Sequence, residues 1–197
     1  KDLPDFDLFT GGFPCQPFSS AGLGNGELDM RGSLFYDILR IVRYKLPKHI
    51  LLENVKGMTH KKHKPTLDKI VNELKSLGYQ VFFEVLNTKD YGIPQNRERL
   101  WIYARLNGTL PVDWKIDPGK TGLGTIRIKD FLDKRPDTDL WLSDEQIQRL
   151  IEKHGVDLDV KEPLCLDIYN KKIRTDGVSI TITEPHHNSL RIVYPKR

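Results

Sequence analysis

The sequence contains little cysteine and no long apolar run, and each absence excludes a class of protein. Its 197 residues include only two cysteines, Cys15 and Cys165, which cannot form a disulfide framework. Neither lies in a Cys/His cluster with zinc-site spacing, so we expect no metal. No apolar run approaches the roughly 20 residues of a membrane-spanning helix, and residues 1–7 lack the pattern of a secretory signal. We therefore expect a reduced, cytoplasmic protein with no membrane partner.

Charge of one sign is not abundant either. The formal net charge is only +4, which is compatible with a polyanionic partner but does not require one. The basic residues are unevenly placed, with one concentration in residues 56–64 and another near residue 197. Charge alone leaves two interpretations open, a nucleic-acid partner and ordinary solvated surfaces.

Apolar runs alternate with helical repeats in the first half of the chain. Strands are predicted at residues 6–10, 49–52, 79–86 and 100–104, and helices at residues 33–47 and 65–77. Gly78 is predicted to end the second helix. This order predicts an open α/β sheet, in which ligands bind outside the carboxyl ends of the strands.

The second half of the chain is more irregular. Gly, Pro and Thr residues after Asn107 predict a connector, and we place a domain boundary near Lys129, between domains 1–129 and 130–197. Residues 143–146 have the form of a capping box and predict a short helix. Residues 178–183 are predicted to form a strand, with residues 191–193 as its partner.

Candidate catalytic groups follow the first two predicted strands. Cys15 stands between two prolines directly after the first strand, where the rings stiffen the backbone. A lone cysteine is more often a small buried hydrophobe than a nucleophile. However, Glu53 and Asn54 end the second strand and are expected at the same edge of the sheet. A thiolate there can add to an electron-poor ring carbon while a carboxylic acid binds a ring nitrogen.

Two arginines precede the last strand of this half. Arg97 and Arg99 occupy alternate positions, and alternate positions on an extended segment share one face. Their guanidinium groups can therefore reach the same ligand. A guanidinium group is planar and carries several N–H donors, so it binds planar polar groups well.

Together these segments resemble the cytosine-5 DNA methyltransferase family. Residues 13–19, Phe-Pro-Cys-Gln-Pro-Phe-Ser, resemble its catalytic Pro-Cys loop. Residues 53–55 resemble its Glu-Asn-Val motif, and residues 95–99 its Gln-x-Arg-x-Arg motif. Residues 31–35 and 86–94 also resemble family segments, so the likeness is continuous over about the first half of the chain.

The resemblance implies a fold and a set of roles. The fold is a partial Rossmann-like sheet of an S-adenosylmethionine-dependent methyltransferase, followed by a small, mostly irregular or β target-recognition domain. Cys15 would add to carbon 6 of a flipped-out cytosine, Glu53 would protonate or bind N3, and Arg97 and Arg99 would steady the base and the loop. S-adenosylmethionine would be the methyl donor, in contact with Pro14 and Leu34.

The resemblance also implies contacts with double-stranded DNA. Asn54 would hold the backbone of the loop. The candidate DNA-binding residues are Gln16, Ser19, Ser20 and Asn54 in or beside the loop, and Arg174, Thr181, Thr183 and His187 in the recognition region.

The sequence departs from the family pattern at both ends. The first glycine-rich motif and the last two motifs are missing, so we expect a fragment or one part of a split enzyme. Its partners would then include the remainder of the enzyme or a complementary subunit. We expect a bacterial or phage origin and a restriction-modification system. Two alternatives stay open, a tRNA cytosine-5 methyltransferase and a non-catalytic DNA-binding relative.

Overall fold

The computed structural model describes residues 3–13, 34–108, 126–133, 137, 142–155, 159–168, 170–182 and 190–193. The chain forms two compact units. Unit 1 comprises Lys1–Leu86 and Glu98–Gly119, and unit 2 comprises Asn87–Arg97 and Lys120–Arg197. The domain boundary that we placed near Lys129 stays a prediction.

A four-stranded mixed sheet organises unit 1. Its strands are β1 (Leu8–Gly12), β2 (His49–Val55), β3 (Tyr79–Asn87) and β4 (Glu98–Leu106), in the order β1-β2-β4-β3. β1 runs parallel to β2 with Gly12 opposite Glu53, and β4 runs antiparallel to β2 with Trp101 opposite Glu53. The predicted α/β sheet is confirmed. Because β1 and β2 are parallel, the chain leaves both strands at one edge of the sheet.

Two amphipathic helices cover this sheet. α1 (Leu34–Lys45) and α2 (Lys64–Ser76) bury the apolar side chains of Phe35, Ile38, Leu39 and Val42, and of Leu67, Ile70 and Leu74. These pack with Ile50, Leu52, Leu100, Ile102 and Ala104 of the sheet, and each large side chain contributes about 1.5–3 kcal/mol by its burial. Gly78 has φ +88°, which a residue with a side chain rarely adopts, and α2 ends just before it as predicted. None of the described helices is long and apolar enough to cross a membrane.

Unit 2 contains one helix and a second sheet. The helix α3 (Asp144–His154) begins with the predicted capping box, because Ser143 accepts from the backbone of Gln146 and Gln146 accepts from the backbone of Ser143. The sheet has the order β6-β5-β7, with β5 (Leu164–Asp167) antiparallel to both β6 (Lys172–Arg174) and β7 (Leu190–Val193).

The strand predicted at residues 178–183 is wrong for the residues described there. Ser179 makes one isolated bridge with Gln95, and the partner of β7 is β5. The reason is that the backbone groups are used elsewhere. Arg174 donates to the carbonyl of Val178 at 3.1 Å, and Ser179 bonds Pro94 and Asn96 through its N–H and C=O at 2.8 Å each. Thr183 lies outside the described residues.

Candidate active site

The side chain of Asn54 holds the backbone of Phe13, the residue that follows β1. This side chain is 2% exposed, its Nδ2 donates to the Phe13 carbonyl at 2.8 Å, and its Oδ1 accepts from the Val55 N–H at 2.8 Å. Phe13 is itself buried, and its ring lies 5.4 Å from that of Phe35. The backbone is therefore fixed two residues before Cys15. A contact between Asn54 and DNA stays a prediction.

Five predicted loop residues lie outside the described part of the chain: Pro14, Cys15, Gln16, Ser19 and Ser20. The other cysteine can be assessed directly. Cys165 is 1% exposed, and burial raises the pKa of its thiol. A raised pKa makes the thiolate scarcer, so Cys165 is an inert core residue. Cys15 thus remains the candidate nucleophile.

Glu53 and Arg99 form an ion pair at the same edge of the sheet as Phe13. Glu53 Oε1 lies 2.7 Å from Arg99 Nε, and the two side chains are 32% and 20% exposed. Arg99 also donates through Nη1 to the Glu98 carbonyl at 2.8 Å, which holds the guanidinium in place. Partly exposed ion pairs stabilise a fold by about 1 kcal/mol or less. The pair therefore orients the carboxylate more than it stabilises the sheet.

Gly12 leaves space beside this carboxylate. A Cβ atom built on Gly12 would lie 3.4 Å from Glu53 Oε2, at the tight end of ordinary contacts. The ion pair engages Oε1, and Gly12 contributes backbone without a side chain beside Oε2. A larger residue at position 12 would narrow access to Oε2.

Arg97 belongs to unit 2, whereas Arg99 belongs to unit 1. The backbone N–H of Arg97 lies 3.1 Å from Asn87 Oδ1 and 3.1 Å from the Gln95 carbonyl, and its carbonyl accepts from the Thr88 N–H at 3.1 Å. The predicted sharing of one ligand by Arg97 and Arg99 stays a prediction.

Asn87 is a positioning residue that the sequence reasoning missed. Besides accepting from Arg97, its side chain donates to Asn96 Oδ1 at 2.9 Å. It thus holds two consecutive residues of the arginine motif. The sequence shows only that residues 86–94 resemble a family segment, because a side-chain bond between residues 9 or 10 positions apart leaves no periodic pattern.

The candidate residues of the recognition region make internal contacts. Thr181 Oγ1 donates to the Asn96 carbonyl at 3.0 Å. Arg174 forms an ion pair with Asp176. Burial raises the pKa of Asp176, but the hydrogen bond and charge of Arg174, together with backbone hydrogen bonds, outweigh burial and lower it. DNA contacts by Arg174 and Thr181 stay predictions, and Thr183 and His187 lie outside the described residues.

Of the two candidate cofactor contacts, Leu34 lies among the described residues and Pro14 does not. Leu34 is the first residue of α1, and its apolar side chain is 55% exposed, next to Phe35, which is buried. An exposed leucine can make van der Waals contact with a flat ring, and this contact stays a prediction. Within the described ranges, no group of three or more His, Cys, Asp or Glu residues could hold a metal ion.

Comparison with solved structures defines the class of fold. The Dnmt2 methyltransferase of S. pombe matches with a TM-score of 0.53 and 28% identity, covering 76% of this chain and 46% of that one. The Entamoeba histolytica methyltransferase EhMeth matches with a TM-score of 0.52 and 23% identity, covering 95% of this chain and 61% of that one, and it bears on the fold alone. The fold is therefore that of a methyltransferase, with a mixed α/β sheet.

Sequence comparison gives the family. The model of the C-5 cytosine-specific DNA methylase family matches residues 1–178. The type II methyltransferase M.NlaX of Neisseria lactamica is 38% identical over 205 residues, which cover 99% of this chain and 64% of that relative. M.NgoBI of Neisseria gonorrhoeae is 52% identical over 102 residues, covering 52% and 32%. The chain belongs to the C-5 cytosine-specific DNA methylase family, as its motifs indicated, and it spans 64% and 32% of the length of these two relatives.

Proposed function

We propose that the protein is a DNA (cytosine-5-)-methyltransferase. It transfers a methyl group from S-adenosylmethionine to carbon 5 of a flipped-out cytosine in double-stranded DNA, through a covalent adduct with Cys15. Its relatives M.NlaX and M.NgoBI are named type II methyltransferases, which supports a place in a restriction-modification system. Residues beyond this chain, in the same polypeptide or in a complementary subunit, would complete the enzyme.

One observation carries the proposal. Parallel pairing of β1 and β2 brings the Glu53 carboxylate, oriented by Arg99 at 2.7 Å, to the edge where Asn54 holds Phe13. Cys15 follows Phe13 by two residues. A candidate nucleophile and a candidate acid therefore leave neighbouring strands at one edge, as the addition of a thiol to a pyrimidine requires.

The proposed reaction begins with the Cys15 thiolate, which forms a bond between Sγ and carbon 6 of the cytosine. The electron pair of the C5–C6 double bond shifts to form a double bond between C4 and C5. The pair displaced from the C4–N3 double bond takes a proton from Glu53 at N3. We assign this proton to Oε2, because Oε1 engages Arg99. The resulting enamine makes carbon 5 nucleophilic.

When bound, S-adenosylmethionine would supply an electrophilic methyl group to carbon 5, and its sulfur would keep the electron pair of the broken bond as S-adenosylhomocysteine leaves. After carbon 5 has taken that methyl group, Glu53 recovers the proton from N3. A base then removes the proton from carbon 5, and the bond between Cys15 Sγ and carbon 6 breaks. Leu34 and Pro14 would contact the donor. The exposure of Leu34 is compatible with this contact.

Covalent trapping tests the proposal. Full-length protein, S-adenosylmethionine and duplex DNA with 5-fluorocytosine are mixed, because fluorine at carbon 5 prevents the final loss of a proton. We expect a denaturation-resistant complex with the wild type and none with Cys15→Ser. Cys165→Ser is the matched control and should still form the complex, since Cys165 is buried in unit 2.

The other outcomes contradict the proposal in different ways. A complex that forms only with fluorinated tRNA would move the substrate to RNA. Absence of a complex on both nucleic acids would favour a non-catalytic DNA-binding relative. A complex that persists in Cys15→Ser would assign the nucleophile to another residue.

A further inference from the structure

The turn between β2 and α2 carries a concentrated positive charge. His60, Lys61, Lys62 and His63, which we call the basic turn, follow the 3-10 helix Lys56–Thr59. His60, Lys61 and Lys62 are exposed. The backbone of the turn is hydrogen-bonded, because the N–H groups of His63 and Lys64 donate to the His60 carbonyl at 2.8 and 2.9 Å. The exposed residues Lys61 and Lys62 therefore lie on a backbone that is held by hydrogen bonds.

The neighbouring lysines already have acidic partners. Lys56 Nζ lies 2.7 Å from Glu98, and Lys64 Nζ lies 2.8 Å from Asp68. By contrast, Lys61 and Lys62 take part in none of the ion pairs among the described residues. The first turn of α2 also lacks an acidic residue, although the amino terminus of a helix carries a partial positive charge. Positive charge is thus left uncompensated here, and a polyanion would relieve the repulsion.

The basic turn lies close to the candidate active site along the chain. Between Glu53 and Lys61 the chain runs through the end of β2 and the four-residue 3-10 helix, which rises only about 2 Å per residue. The two Cα atoms are therefore separated by at most about 24 Å. This distance is shorter than one turn of B-form DNA, which is about 34 Å long, so some phosphates of the turn that carries a base at Glu53 lie within reach of Lys61.

We propose that the basic turn binds the phosphate backbone of the duplex that carries the target cytosine. This inference rests on the proposed function and adds a contact surface outside the catalytic motifs. Lysine binds phosphate as a point charge, and such contacts position a protein on DNA without reading its sequence. The ring N–H groups of His60 and His63 add further donors.

Salt-dependent binding tests the inference. The full-length protein is titrated with a labelled, mixed-sequence duplex of about three helical turns over a series of salt concentrations, and binding is followed by fluorescence anisotropy. Each phosphate contact contributes about 0.9 to the slope of log K against log salt. Lys61→Ala/Lys62→Ala should therefore lower the slope by about 1.8. At 0.1 M salt this corresponds to a loss of roughly 60-fold in affinity.

A matched control separates location from charge. Lys48→Ala/Lys75→Ala removes the same number of positive charges, but Lys48 precedes β2 and Lys75 lies in the last turn of α2. Lys48 pairs with Asp7 at 2.9 Å through exposed side chains, and such a pair contributes little to stability. Tyr79, which begins β3 shortly after α2, donates its hydroxyl to the carbonyl of Pro47, which shortly precedes β2. The end of α2 therefore lies near the amino end of β2, whereas Glu53 lies near its carboxyl end. We expect the control to keep the wild-type slope. Lys61→Arg/Lys62→Arg should keep it too, and all variants should unfold at the wild-type temperature.

The outcomes distinguish this inference from the proposed function. If the wild type traps 5-fluorocytosine but Lys61→Ala/Lys62→Ala keeps its salt slope, the basic turn does not bind DNA, although the enzyme proposal stands. An equal loss in the control pair would show a general effect of charge and would also overturn the inference. If the wild type binds and traps tRNA but not duplex DNA, both proposals are wrong.

Discussion

Asn54→Ala should destabilise the protein because it removes the only side chain, among the described residues, that bonds the Phe13 carbonyl. The carbonyl would remain buried without a partner, which costs about 1–3 kcal/mol. Val55 N–H loses its bond to Oδ1 as well, and the smaller side chain leaves a gap in a site that is 2% exposed. We expect a total loss of roughly 2–4 kcal/mol in the free energy of unfolding.

Asn54→Asp adds a pH dependence with a defined sign. A carboxylate cannot donate to the Phe13 carbonyl, whereas a protonated acid can, so the pKa of the new acid is raised in the folded state. Stability relative to wild type should therefore be greatest below the ordinary aspartate pKa of about 3.9. It should fall as pH rises toward the folded pKa, by up to about 1.4 kcal/mol per pH unit.

Urea unfolding followed by circular dichroism measures both effects. Asn72→Ala is the matched control, because Asn72 is exposed on α2 and its loss should change stability by no more than about 0.5 kcal/mol. If Asn54→Ala were as stable as this control, the amide would not anchor the start of the Pro-Cys loop. A pH-independent Asn54→Asp variant would refute the assigned donor role.

Two further predictions concern Arg99 and Tyr79. Arg99→Lys should lower kcat in a methyl-transfer assay by about 100-fold, with little change in KM. The reason is that an ammonium group cannot reproduce the guanidinium contacts with Glu53 and the Glu98 carbonyl. An unchanged kcat would show that the ion pair is dispensable. Tyr79 is 3% exposed, and burial raises its pKa to about 12. Between pH 10 and 12 the unfolded chain loses this proton first, so wild-type stability should fall by up to about 2–3 kcal/mol. Tyr79→Phe should be about 1 kcal/mol less stable than the wild type at pH 8, because the bond to the Pro47 carbonyl is lost. In urea unfolding, this variant should not show the fall in stability between pH 10 and 12. An equal fall in both proteins would assign the fall to another group.

The local patterns of the sequence predicted unit 1 well. The strands β1 to β4 and the helices α1 and α2 lie within a few residues of their predicted bounds, because apolar runs and end residues such as Gly78 are local features. In unit 2 the helix α3 and the strand β7 (predicted at residues 191–193) were predicted well, although the pairing of β7 with β5 was not. β5 has four residues, three of them buried in succession, and β6 has only three residues. Neither strand therefore shows the alternation of apolar and polar residues from which a strand is predicted.

The candidate site was predicted in part for the same reason. Glu53 and Asn54 could be placed at a sheet edge, because they end an apolar strand. The pairing of Glu53 with Arg99 depends on the antiparallel register of β2 and β4, which sets Val55 opposite Arg99 across 44 positions of sequence. Register of this kind is decided by partners distant in the chain, and single residues do not encode it.

Unit 2 is discontinuous in sequence, and this determines how it could be exchanged for the corresponding part of a relative. Pro94 and Asn96 bond the backbone of Ser179, and Thr181 bonds Asn96 through its hydroxyl. A donor segment grafted only after residue 120 would have to reproduce these contacts with a foreign host segment. Moving Asn87–Arg97 together with Lys120–Arg197 would keep the transplanted contacts native. A successful exchange should therefore have three junctions, before Asn87, after Arg97 and before Lys120, whereas replacing only the segment from Lys120 onward has one.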